Sequence, residues 1–140
     1  MKKMINTSFM YLILALVAGV FYREFTKFNA FSGQTALGIV HTHFFILGVI
    51  FFLILTLFIK NFPQILDYKG LNKFYILYNI SVILFTIMLL VRGTMEVLGT
   101  PLSSAVDASI SGIAGISHIL LTVSLVYFFV IIKKSIVNHD

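Results

Sequence analysis

Three of the four histidines lie inside long apolar stretches rather than in connecting segments. His41 and His43 occur in "ALGIVHTHFFILGVIFFLILTLF" (residues 36–58), and His118 in "GIAGISHILLTVSLVYFF" (112–129). A neutral imidazole can ligate a metal, carry a proton or hydrogen-bond across helices. In surroundings this apolar an ionisable group is costly, and by default it marks a working site. The remaining charged candidates, Arg23, Glu24, Arg92 and Glu96, stand at the ends of apolar stretches. With no cysteine, disulfides and thiolate chemistry are excluded. His139 sits in a polar tail and is given no role.

The elements that must position these groups follow from composition. The chain has 140 residues, 59% hydrophobic and 11% charged, with a mean hydropathy of +1.03. Soluble domains carry roughly 25% charged residues, so this is a membrane protein. Four apolar segments, about 5–22, 36–59, 74–98 and 108–132, each approach the ~20 residues that a bilayer requires. Runs this long without alternation are helices, because lipid admits only helices or closed barrels. The expected fold is all-α: a single integral membrane domain, 1–140, forming an up-down-up-down four-helix bundle. "MKKM" before the first segment resembles a signal-peptide start, but no small-x-small cleavage pattern follows, and the segment reads as a retained helix. The net charge of +5 comes with no basic run longer than two residues, which argues against nucleic acid as a partner.

Lysine and arginine placement orients the bundle. Lys2, Lys3, Lys60, Lys69, Lys73, Lys133 and Lys134 fall on one side, and Arg23, Lys27 and Arg92 on the other. The first side is then cytoplasmic, with both termini there. His41, His43 and His118 consequently lie in the outer half of the bilayer, at the end that also carries Arg23, Glu24, Arg92 and Glu96.

Helical spacing sorts the histidines by face. His41 shares a face with Gly38 and Gly48, whereas His43 points about 200° away. His118 lies with Ser111, Ala114, Gly115 and Thr122, again small residues. In a square bundle the second and fourth helices are diagonal, about 12–14 Å apart. Imidazoles from His41 and His118 reaching across that gap would leave room for one metal and a flat macrocycle, the axial arrangement of a bis-histidine haem b. Arg23 and Arg92 would pair with its propionates. Glycines beside His41 could equally serve close helix contact. Arg92 and Glu96, four apart, could form a plain ion pair, and Arg23 could snorkel to the head groups. His43 could meet Glu24, Glu96 or Arg92, line a proton path, contact a second subunit, or itself be the ligand.

The string "GIVHTHFFILG" resembles the second transmembrane helix of the catalytic subunits of bacterial nitric oxide reductases and cbb3-type oxidases. There a histidine followed by threonine and asparagine ligates the low-spin haem; the resemblance implies that His41 is the ligand and that His43 replaces the asparagine. Over nearly the whole chain, "GVFYREFTKFNAFSG", the H-T-H and "GIAGISHILLTVSLVYFF" are similar to a family of small four-helix bacterial membrane proteins of unknown function. That likeness implies an architecture and a multi-pass location in the bacterial cytoplasmic membrane.

The leading expectation is therefore a haem b protein acting in electron transfer or in haem or gas sensing, with a quinone or other redox carrier as partner and homodimerisation open. One alternative is a zinc or other transition-metal site without porphyrin, using His41, His118 and a carboxylate from Glu24 or Glu96, in a small transporter or metal-binding protein. Another is an accessory subunit whose polar groups only fix helix packing.

Overall fold

The computed structural model describes residues 1–136, so His139 lies outside the described residues. Four helices are long and apolar enough to cross a membrane: α1 (Lys2–Phe28), α2 (Leu37–Asn61), α3 (Leu71–Leu98) and α4 (Ser104–Ile136). They fit a multi-pass membrane protein. A 3-10 turn, Pro63–Asp67, joins α2 to α3. The helices run past the apolar stretches at most ends because Arg23, Glu24 and Lys27 are sound helix formers once the chain leaves hydrocarbon.

The connections have local causes. α3 stops at Gly99, whose φ of 59° is the left-handed conformation that L side chains resist. Gly99 N–H then donates to Glu96 and Thr100 N–H to Met95, closing the last turn, and Pro101 bars continuation. α1 ends in the same pattern, with Phe31 N–H donating to Thr26, but with Ala30 at the left-handed position (φ 48°).

α1 packs most closely along α2, and α4 along α3, with α2 and α3 also in contact. Side chains tie α1 to α3: Tyr11 donates to Asn79 (2.8 Å), and the Thr7 and Tyr75 hydroxyls share a hydrogen bond (2.7 Å). α2 meets α4 through rings such as Phe51 and Phe128, 5.1 Å between centroids, rather than through close backbone approach. The core sets wholly buried aromatic rings, Tyr11, Tyr78, Phe52 and Phe74, among aliphatic side chains such as Leu55, Ile59 and Val82.

Directly after the H-T-H, α2 loosens into a π-helical segment, Phe44–Ile50. This wider winding displaces backbone carbonyls from their usual partners, and in lipid they must find others. Tyr78 of α3 donates to the Leu47 carbonyl (2.8 Å), and Ser8 of α1 to that of Val49 (3.0 Å). Between them Gly48 lets Tyr11 lie directly against the backbone, where a Cβ would overlap its side chain.

Candidate functional site

The glycines on the His41 face serve helix contact. A Cβ on Gly38 would lie 3.4 Å from the Tyr22 ring, and Gly48 receives Tyr11, both residues of α1. His41 points the same way, its Cβ and Cγ 3.8 Å from where a Cβ on Gly19 would sit. Its Nδ1 is buried there with no hydrogen-bond partner among the described residues. The bulky group that the glycines accommodate is thus tyrosine. His41 looks at α1, away from α4.

His43 takes the other face. Its ring lies edge-on to Phe85 of α3, 5.0 Å between centroids. His118 of α4 meets the same phenyl ring, also edge-on, at 4.4 Å. The pair of histidines that shares a neighbour is therefore His43 and His118, with Phe85 itself buried between the helices that carry them. The sequence expectation paired His41 with His118 because a square bundle sets α2 and α4 face to face through its middle. Here α1 and α4 lie along different helices, so the α1-facing side of α2 is not the α4-facing side.

Both histidines are held alike. His43 Nδ1 is 2.7 Å from the Ile39 carbonyl oxygen and His118 Nδ1 is 3.0 Å from that of Ala114, each four residues earlier on its own helix. A carbonyl only accepts, so Nδ1 carries the proton in both rings. Nε2 is then left with its lone pair, the tautomer in which histidines ligate metals. His118 is exposed and His43 half-buried. One turn from His118, a Cβ on Gly115 would meet nothing within 4 Å, so the space beside that ring is open.

The charged groups distribute differently from the sequence expectation. Arg92 pairs with Asp107 at 2.6 Å and donates to Ser111 at 2.8 Å, both on α4, rather than pairing with Glu96. Glu96 instead accepts from the Ala36 N–H (2.7 Å) at the start of α2, where a carboxylate complements the helix dipole. Beside it Thr35 donates to the Gly93 carbonyl (3.0 Å), and a Cβ on Gly93 would strike the backbone of Leu37. Among the described residues Arg23 forms an ion pair with its neighbour Glu24 alone, 3.7 Å away, with both side chains well exposed. Among the described residues no three His, Cys, Asp or Glu side chains cluster as metal ligands, so neither Glu24 nor Glu96 joins a histidine pair.

Asp107 and Phe85 carry much of this arrangement, and sequence reasoning passed over both. Asp107 had a readable signal, since a short loop brings the end of α3, with Arg92 six residues before its last residue Leu98, close to the acidic first turn of α4. Phe85 had none, being one of 15 phenylalanines.

No curated protein and no solved structure matches the chain. The family described as "Protein of unknown function (DUF2871)" matches residues 1–135. An apolar four-helix chain matched over almost its full length by that family's profile belongs to it.

Proposed function

We propose that this protein binds haem b within the membrane and transfers electrons, with His43 and His118 as the residues that would hold its iron. The observation that carries the reading is the shared state of these two rings. Each has Nδ1–H bound to a backbone carbonyl, each keeps Nε2 free, and both rest on Phe85. Two imidazoles alone are too few donors for a structural zinc site, which takes four protein ligands. A haem brings most of its iron's ligands with it, so His43 and His118 would be enough protein ligands to hold it. The open space at Gly115 gives the macrocycle an approach beside His118.

When bound, the haem supplies a one-electron couple; the chain's own residues hold and orient it. The backbone carbonyls of Ile39 and Ala114 fix the ring tautomers and orientations. Arg92, anchored to Ser111 two turns from His118, brings a cation to the edge where propionates would emerge, and Asp107 keeps it in place. Arg23 is too exposed to add more than a surface charge. Two histidine ligands from the chain would favour electron transfer over gas binding. The lysine-rich end is the cytoplasmic one in this reading, which puts the haem near the outer face of the bacterial cytoplasmic membrane. A lipid-soluble quinol suits it as electron donor.

The test is the visible spectrum of protein purified from cells supplied with haem precursor. The expected result is a Soret band that shifts and sharpens on dithionite reduction, lost or turned high-spin in His43→Ala and in His118→Ala and kept in His41→Ala. Colourless wild-type protein from such cells would overturn the proposal, and a His43→Ala spectrum identical to wild type would remove His43 from the pair.

A further inference from the structure

At the opposite end from the histidines, the start of α1, the 3-10 turn and the start of α3 enclose a cavity of about 260 Å³. Its lining includes the polar Lys3, Lys69 and Asn72 and the apolar Met4, Leu66 and Leu71. Lys3 is held in place, with Nζ donating to the Asn72 side-chain oxygen (3.1 Å) and lying 3.7 Å above the Tyr75 ring. Lys69 extends from the adjoining turn and is exposed.

No carboxylate among the described residues lies within ion-pair distance of Lys3 or Lys69. Among the described residues the ion pairs are Arg23–Glu24 and Arg92–Asp107, both at the far end, and Asp67 pairs with no lysine. Neither α1 nor α3 has an acidic residue in its first turn. A cavity lined by two lysines and an amide together with Met4, Leu66 and Leu71 matches a ligand with a phosphate head and an apolar tail. Leu66, 49% exposed, continues the apolar lining outward.

We infer that this cavity binds the headgroup of an anionic phospholipid, its phosphate between Lys3 and Lys69 and its acyl chains running out past Leu66. The inference is independent of the haem reading, because it uses none of the same residues. Basic recesses between helices at a membrane surface favour anionic lipids by roughly fivefold per lysine.

The experiment measures lipid retained by the purified full chain, by native mass spectrometry from micelles containing equal phosphatidylglycerol and phosphatidylcholine. Wild type should retain phosphatidylglycerol about thirtyfold over phosphatidylcholine. The double variant Lys3→Ala/Lys69→Ala should lower that preference about thirtyfold. The control Lys133→Ala/Lys134→Ala removes equal charge outside the cavity and should change it less than twofold. Excess inorganic phosphate should leave the lipid bound. Equal retention of the two lipids, or an equal loss in the control variant, would overturn the site. Displacement by inorganic phosphate would overturn the lipid as its occupant. A melting curve of each variant shows that the fold is retained.

Discussion

The contact between α3 and the start of α2 offers the sharpest test of how the H-T-H is placed. At Gly93 an added Cβ would meet the Leu37 backbone nitrogen and the Ala36 carbonyl carbon, the latter at 3.0 Å. Backbone cannot swing aside as a side chain can, so Gly93→Ala must push the two helices apart. Overpacking of this kind costs about 1–3 kcal/mol. The shift also strains the Thr35–Gly93 and Ala36–Glu96 hydrogen bonds beside it, each worth about 0.5–1.5 kcal/mol. Against this, alanine gains up to about 1 kcal/mol of helix propensity over glycine. The expected net loss is about 2 kcal/mol. Gly115→Ala is the control: nothing lies within 4 Å of its Cβ, so only the propensity gain operates. The assay is reversible unfolding by SDS in mixed micelles, followed by the near-ultraviolet circular dichroism of the tyrosines. If Gly93→Ala proved as stable as Gly115→Ala, the close approach of α2 to α3 would be wrong, and with it the depth and direction of His43.

Other perturbations test separate parts of the structure. Tyr78→Phe leaves the Leu47 carbonyl without its partner and should cost about 1 kcal/mol; amide exchange across 44–50 should quicken, and unchanged exchange would deny that Tyr78 holds the π-helical winding. Ala30→Gly relieves a left-handed alanine and should stabilise by about 0.5–1 kcal/mol, read as a higher melting temperature; a lower one would refute the strain. Asp107→Asn weakens the Arg92 pair, whose side chains are partly exposed, and should cost about 1 kcal/mol. That loss should shrink in high salt, and a loss indifferent to salt would mean the pair contributes through packing instead.

The four helices were legible because each needs only local chemistry. About twenty apolar residues in lipid have one way to satisfy their backbone, whatever lies beside them. The same locality explains what was unreadable. The π-helical segment exists with Ser8 and Tyr78 of other helices taking up its carbonyls, and nothing within Phe44–Ile50 announces it. The partner of Arg92 was misread for a related reason: Glu96 satisfies the i, i+4 rule, but Ala36 of α2 takes that carboxylate and Asp107 of α4 takes the arginine.

By itself the sequence determined that this chain carries four helices apolar enough for a membrane, with imidazoles set within two of them. It also determined that His41 and His43 face opposite ways, because that follows from 3.6 residues per turn. Which of the two faces α4 was a tertiary decision. Gly38 and Gly48 let α2 seat against Tyr22 and Tyr11 of α1, and that close contact turns His41 toward Gly19 and leaves His43 to Phe85 and the His118 side. Helical periodicity sets the angle between two side chains, and only packing against a neighbour sets the direction of either one.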